Sequence, residues 1–432
     1  MQLRSVVLVD GARSAFGRGG RGKLIASRLD DTAALILRTL LDRNPRLTDS
    51  MIEDVGIGTV AGRGEFAYLG NVQRLAGLPL EVCAFHSNRQ CGSSMETLHR
   101  IAMSIMVGNI ECGVAMGIER MGRAIMAGGA PPTRVTQMTS KVSELNEVQR
   151  APAADHNEYF SVPFPDYILN SPWLQSMIQT AQNVAEVYGL GREELDRYTV
   201  ESHAKTHSAY EAGIYKEEVI PLEVEEPVFD DQGNWVEAER GPQITFDRDE
   251  GIRPGTTLEK LASLKPIPGT VSFGNKEIII TAGNSCPTND GISAAILMSE
   301  EKARALGLEP LARIIGFAIG GVKPQLMGLG PVVSSKKALQ HAGITAEQID
   351  RVEFNEAFAA QVIPSLRELG IPQEKVNVNG GSLAIGHPLG ATGARLVTTV
   401  AMELRRSNQR YGLATQCIGA GMGISTVVER IG

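Results

Sequence analysis

No Cys-x-x-Cys pair occurs in this 432-residue chain, and its five cysteines, Cys83, Cys91, Cys112, Cys286 and Cys417, follow no regular framework. The pattern argues against a zinc ribbon, and an odd, unframed count fits a reducing compartment. No apolar run reaches the roughly 18 residues of a membrane span. No charged-then-apolar signal segment precedes the strand-like Ser5–Val9. Basic excess is also missing: 42 Lys and Arg against 49 Asp and Glu leave a net charge of −7. A nucleic-acid partner is therefore not expected, although a local basic patch could still hold an anionic ligand. Membrane contact is not expected either, and the chain reads as a soluble cytoplasmic protein. Hydrophobic content is an ordinary 43%. The length suits two or three domains.

What is present is an internal echo. Leu47, Ile52 and Val55 recur as Ile344, Ile349 and Val352, each at an offset of 344 − 47 = 297. Applied to Cys91, that offset lands on Pro388, one residue past His387. Glu111–Gly117 finds its counterpart near Tyr411–Cys417, and Val6–Val9 resembles Ile314–Phe317. Two similar α/β halves follow. Helical spacing marks Ala33–Leu41, the stretch after Cys91 through Ile105, and the stretch after His387 through Leu404. Between the halves, residues 121–246 read as an insertion over the core, with helices expected at Met177–Tyr188 and Glu193–Ala212. Its aromatic segment, Tyr159–Tyr167 and then Trp173, suits a membrane or partner contact less well than loop packing inside an oligomer.

Three turns stand out for chemistry: Asn88–Ser94 around Cys91, Gly386–Gly390 around His387, and Cys417–Gly423. A cysteine nucleophile needs a base, and its oxyanion needs free N–H groups. Small neighbours let backbone approach a substrate closely. Cys91 falls at a helix start, where the helix field favours a thiolate by ~0.3–1 kcal/mol. The arrangement suggests acyl transfer through a thioester. Cys83 and Cys112 read as buried apolar residues. His86, His99, His156, His203, His207 and His341 read as structural. His203 and His207 could share a metal only if an acidic or cysteine ligand joined them, and no metal is expected. In Asn355–Phe358, the asparagine can hold a water or polarise a carbonyl. Glu356 can be an acid/base group or an ion-pair partner.

These motifs resemble those of the thiolases, the acetyl-CoA acetyltransferase and 3-ketoacyl-CoA thiolase family. The likeness covers nearly the whole chain: Arg13–Gly20, Asn88–Ser94, Gly251–Pro254, Thr281–Asn284, Asn289–Gly291, Met327–Pro331, Asn355–Phe358, Gly380–Gly393 and Cys417–Gly423. Cys91-Gly-Ser-Ser-Met95 and Gly412–Gly419 resemble the fatty-acid β-oxidation branch more than the short-chain biosynthetic one.

The resemblance implies an α/β fold of duplicated βαβαβαββ halves in a five-layered α-β-α-β-α body with an inserted loop domain. Residues 1–120 and 247–299 would form the N-terminal half, 121–246 the loop domain covering the site and binding CoA, and 300–432 the C-terminal half. It also implies CoA-dependent cleavage of 3-ketoacyl-CoA to acetyl-CoA and a shortened acyl-CoA, reversible as Claisen condensation. Cys91 would carry the acyl group, while His387 and Cys417 move protons. Asn355, through a water, would join His387 in one oxyanion site, and Gly419 would join the Cys91 N–H in the other. Met177, Arg253, Ala282, Cys286 and Phe358 would contact substrate or CoA. Coenzyme A is then a substrate, and no permanently bound cofactor is implied. A homodimer or homotetramer is expected, with a hydratase/dehydrogenase partner of a β-oxidation complex left open. The alternatives are an acetoacetyl-CoA thiolase working in condensation and a non-catalytic acyl-CoA-binding subunit. Three departures bear on chain length and CoA contacts. Cys286 stands where the family has serine, Ser176 stands where short-chain enzymes often have histidine, and residues 137–173 could roof an acyl tunnel.

Overall fold

The computed structural model describes residues 3–60, 71–122, 158–172 and 175–431. The strands in chain order are β1 (Val6–Arg13), β2 (Gly17–Arg18), β3 (Asp54–Gly58), β4 (Cys83–Ser87), β5 (Cys112–Arg120), β6 (Leu222–Glu225), β7 (Gln243–Phe246), β8 (Asn289–Ser299), β9 (Ala312–Gly321), β10 (Arg351–Phe354), β11 (Tyr411–Ile418) and β12 (Met422–Arg430). Strand order along the main sheet is β10-β11-β12-β9-β1-β8-β5-β3-β4, while β6 and β7 form a separate ribbon. The order is a palindrome of roles about the β1–β9 seam. β1, β8, β5 and β3 in one half match β9, β12, β11 and β10 in the other. Only three residue pairs, Val6–Ile314, Val7–Arg313 and Leu8–Ala312, join the halves at that seam.

The interior strands are buried along their whole length in β5 and β8. Their sequences accordingly carry apolar residues at consecutive positions, as strands covered on both faces must. On the inner side lie the helices Ser93–Met106 and Thr392–Arg406, packed on each other between the two half-sheets. Val6 and Leu8 point into this central core with Leu98, Ile101, Val397 and Val400, while Val7 and Val9 face outward onto Ile36 and Leu37. On the far side Val332, Val362, Phe354 and Leu413 form the third core. Helix, sheet, paired helices, sheet and helix make the five layers. Each fully buried Leu, Ile or Val contributes about 1.5–3 kcal/mol.

Where the central helices meet, side chains are small. An added Cβ on Gly393 would lie 2.5 Å from the Met95 backbone nitrogen. The Ala394 N–H donates to Ser94 Oγ at 2.9 Å. Both helices bury polar groups that are paired: His99 Nε2 reaches Thr426 Oγ1 at 2.8 Å.

The offset of 297 is reproduced by the starts of β3 and β10, 351 − 54. The central helices instead start 392 − 93 = 299 apart, so by them Cys91 corresponds to Gly390, two residues past Pro388. The two turns are related loops, but their reactive groups are not equivalent residues.

The intervening segment is anchored by capped helices. Ser176 Oγ accepts from the Gln179 N–H at 3.1 Å and starts Met177–Tyr188, which Gly189 ends in the left-handed region at φ 60°. Part of the aromatic segment packs against its own chain. Phe160 is buried against Phe164 with ring centroids 5.1 Å apart, and the Tyr159 carbonyl accepts from Lys336 Nζ at 2.6 Å. Trp173 and residues 137–157 lie outside the described residues.

Candidate functional site

Cys91 sits in the turn between β4 and the first central helix. Gln90 takes a positive φ of 48°, and its N–H is held by Asn88 Oδ1 at 3.0 Å. Ser93 Oγ pins the same turn, accepting from the Arg89 N–H and donating to the Gln90 carbonyl at 2.6 Å. Gly92 follows because a Cβ there would lie 2.5 Å from Ile418 Cδ1. Burial pushes the Cys91 thiol up from the usual 9.0 to about 11, opposed by the N–H groups of Gly419 and of Cys91 itself, while Glu119 adds to the rise. That rise corresponds to about 3 kcal/mol. The helix field supplies at most ~1 kcal/mol toward the thiolate. Desolvation wins, so the resting nucleophile is a thiol, not the thiolate that the helix position alone suggests.

A thiol nucleophile needs a neutral base. His387 is buried, and desolvation first, then the charge of Arg395, lowers its pKa to about 3. Its backbone N–H is fixed by Asn289 Oδ1 at 3.0 Å. Thr392 Oγ1 donates to the Pro388 carbonyl at 3.0 Å, so it accepts from His387 Nδ1–H at 2.6 Å. Nε2 is then left with its lone pair, faced by Asn355 Nδ2 at 3.3 Å. The amide of Asn355 is oriented in turn: its Oδ1 accepts from Ser382 Oγ at 2.6 Å, and Ser382 Oγ accepts from Arg395 at 3.2 Å. Asn355 thus reaches the imidazole directly.

Cys417 lies at the end of β11, fully buried, with its Sγ donating to Gln361 Oε1 at 3.3 Å. Burial raises this thiol strongly, and the electrostatic influence of Cys91 reaches it. The strand binds the sites of the two thiols together: Gln416 Nε2 donates to the Cys91 carbonyl at 2.5 Å, and the Asn355 N–H to the Thr415 carbonyl at 3.0 Å. After Cys417 the chain turns through Ala420 and Gly421 at φ 70° and 80°. That turn aims the Gly419 N–H at Cys91. A Cβ on Gly419 would lie 3.8 Å from Met177 Sδ, which puts Met177 at the same mouth.

Cys286 lies on the loop that closes the far side. Its N–H donates to the Ala357 carbonyl at 2.9 Å, Ser285 pairs with Phe358, and Thr288 pairs with His387. Burial raises the Cys286 thiol too, with Cys91 and Cys417 as the next contributions. Phe358 is buried beside it. Arg253 and Ala282 instead line an outer cleft with Arg18, His203, Thr256 and Pro287. The structure therefore gathers Cys91, His387, Cys417, Asn355, Gly419, Met177, Cys286 and Phe358 at the centre, with Arg253 and Ala282 at the entrance side.

Several residues have other jobs than their sequence context suggests. Glu356 is neither ion-paired nor free: Tyr198, Ser202, Asn377 and the Leu383 N–H all donate to its carboxylate at 2.7–3.0 Å. It ties the helix Arg192–Glu211 to the His387 loop. His203 Nδ1 accepts from the Arg253 N–H at 3.3 Å, while His207 faces Arg248 and Glu211, so the two do not converge. Among the described residues no group of three or more His, Cys, Asp or Glu could hold a metal. Cys83, placed on the outer strand β4, is exposed and not buried; Cys112 is buried. Ser382, Thr392 and Gln416 lie within the family-like stretches Gly380–Gly393 and Gly412–Gly419 without an assigned role, and Gln361 lies outside them. Thr392, five residues after His387 at the start of the following helix, is the one that sequence proximity signals.

The comparisons with known proteins agree with this layout. Residues 6–301 match the thiolase N-terminal domain and residues 308–430 the thiolase C-terminal domain. A 3-ketoacyl-CoA thiolase of Vibrio vulnificus (strain CMCP6) is 38% identical over 99% of this chain and 100% of its own. One from Bacillus subtilis (strain 168) is 38% identical over the same shares, and a beta-ketoadipyl-CoA thiolase of Escherichia coli is 39% identical, again over 99% and 100%. The crystal structure of the Bacillus anthracis acetyl-CoA acetyltransferase superimposes with a TM-score of 0.81 at 32% identity, covering 100% of both chains. With both domains matched in order, and full-length relatives well above 30% identity, this chain belongs to the thiolase family of acyltransferases.

Proposed function

We propose that the protein cleaves 3-ketoacyl-CoA with CoA, giving acetyl-CoA and a shortened acyl-CoA. Cys91 Sγ attacks the ketone carbon as its proton passes to His387 Nε2. The N–H groups of Cys91 and Gly419 receive the oxyanion, where losing one donor typically costs ~3 kcal/mol. As the oxyanion collapses, the carbon–carbon bond breaks, leaving the acyl group on Cys91 and the enolate of acetyl-CoA. The enolate oxygen lies against the His387 Nε2–H and Asn355. Cys417 protonates the carbon, and the His387 proton returns to its thiolate. CoA then attacks the thioester through His387, and Cys91 recovers its proton. Condensation is the reverse.

The observation that carries this reading is the pair of buried thiols, Cys91 and Cys417, tied across the halves by the Gln416 bond to the Cys91 carbonyl, with the buried imidazole of His387 oriented by Thr392 and Asn355. The 3-ketoacyl substrate is favoured over acetoacetyl-CoA by the names of the Vibrio and Bacillus relatives. Ser176 in place of the histidine frequent in short-chain enzymes points the same way. Arg253 and Ala282 would meet CoA at the outer cleft, and Met177, Cys286 and Phe358 its inner end and the acyl group. With this reading go a role in fatty-acid β-oxidation, a cytoplasmic homodimer or homotetramer, and a loop domain of residues 121–246 between halves 1–120 plus 247–299 and 300–432. Thiolysis rates over a series of 3-ketoacyl-CoA lengths test the substrate. Turnover of medium and long chains supports it; turnover of acetoacetyl-CoA alone replaces it with the biosynthetic activity.

A further inference from the structure

Gln361 is fully buried at the start of the helix Ala359–Leu369 and joins the backbone of Asn355 to the Cys417 thiol. Its Nε2 donates to the Asn355 carbonyl oxygen at 3.1 Å, and its Oε1 accepts from Cys417 Sγ at 3.3 Å. The first bond decides the second. A backbone carbonyl can only accept, so the NH2 end of the carboxamide must face Asn355 and the oxygen must face Cys417. Packing removes the freedom to swing away: Gly328 has no Cβ, and one built there would lie 2.8 Å from Gln361 Cβ. The Gln361 backbone N–H is held by the Phe358 carbonyl at 3.2 Å. The helix start, the 324–329 turn and the Asn355 backbone thus fix one orientation.

We infer that Gln361 is a positioning residue for the proton transfer at Cys417, its carboxamide oxygen holding that sulfur in place beside the substrate carbon. The inference rests on the thiolase reading above. An acceptor oxygen fixes the direction of the S–H bond. Cys417 waits as a loaded acid for the cleavage direction. The proton it gives forms the new C–H bond of acetyl-CoA, and the thiolate left behind recovers its proton from His387. Cys91 shares no hydrogen bond with Gln361; its carbonyl is held by Gln416. The two half-reactions therefore depend on Gln361 differently. Attack and acylation at Cys91 need His387 and the N–H pair. Carbon protonation needs Cys417 aimed by Gln361.

The test separates the halves with acetyl-CoA in deuterium oxide. Acetylation of Cys91 is read by peptide mass, and deuterium entering the methyl group of acetyl-CoA is read by ligand mass. Gln361→Ala and the volume-preserving Gln361→Met are compared with the native enzyme, the second variant deciding if the first does not fold. Acetylation within about threefold of native, with deuterium entry down at least ~tenfold, is expected, since positioned proton transfer is typically worth 10²–10⁴-fold. Deuterium entry within about threefold of native, or an equal fall in both readouts, would overturn the inference. A native enzyme that never acetylates Cys91 would instead sink the thiolase mechanism itself.

Discussion

Gln416 hands its amide N–H to the carbonyl of Cys91, 325 residues away, at 2.5 Å. This bond spans the two halves and fixes the nucleophile's backbone to the strand that ends in Cys417. Few contacts cross the β1–β9 seam, so site geometry depends on the central helices and on bonds of this kind. The duplication brings two equivalent ends together, and these cross-half bonds set their spacing.

The first prediction concerns pH. His387 is held down to about 3 and Cys91 up to about 11, both by burial first. Between those values the pair is neutral thiol plus neutral imidazole. The rate of Cys91 acylation should therefore be flat from about pH 5.5 to about pH 9. A thiolate–imidazolium pair would titrate inside that window. Stability has its own sign. A histidine harder to protonate folded than unfolded favours the fold above its ordinary value near 6.5, and that contribution is lost as pH falls toward 3. A bell centred near neutrality in single-turnover acylation would contradict the neutral pair.

Ser382→Ala should act through Asn355. It removes the donor to Asn355 Oδ1 and the acceptor for Arg395. The amide then loses its fixed sense relative to His387 Nε2. A fall in kcat of about five- to tenfold is expected, corresponding to roughly 1 kcal/mol for one buried hydrogen bond. KM for CoA should hold, because the outer cleft is untouched. Unchanged kcat would show that Asn355 is oriented by other means.

Gly393→Ala sets two effects against each other. Alanine in a helix is better than glycine by about 1 kcal/mol. The new Cβ, however, would meet the Met95 backbone nitrogen at 2.5 Å, where no flexible side chain can yield. Overpacking of that kind costs about 1–3 kcal/mol, so a net loss of stability is expected in denaturant unfolding. A midpoint at or above the native one would mean that the central helices slide apart freely.

Much of the fold was legible because it depends on local pattern. The helix expected at Met177–Tyr188 spans the same residues in the structure, where Ser176 caps it and Gly189 ends it. The offset of 297 captured the β3–β10 equivalence but not the helices, which shift by two because their preceding loops differ in length. The three reactive turns were visible as glycine- and serine-rich punctuation. Their protonation states were not, since the helix field is local whereas desolvation depends on everything packed around Cys91. Thr392, Gln361, Ser382 and Gln416 act through distances between segments far apart in the chain or across a turn, which spacing does not encode. Cys83 looked buried because strand and apolar context read alike on an edge and in a centre, and its exposure follows only from the sheet order.

The central claim is a division of labour in which Cys91 alone carries the acyl group. Brief reaction with 3-ketoacyl-CoA in the absence of free CoA, followed by acid quench and peptide mass analysis, tests it most directly. The account predicts one adduct per chain, on Cys91, equal in mass to the substrate acyl group shortened by two carbons, with acetyl-CoA released in matching amount. An adduct on Cys286 or Cys417, an unshortened acyl group on Cys91, or acetyl-CoA released with no adduct would contradict it.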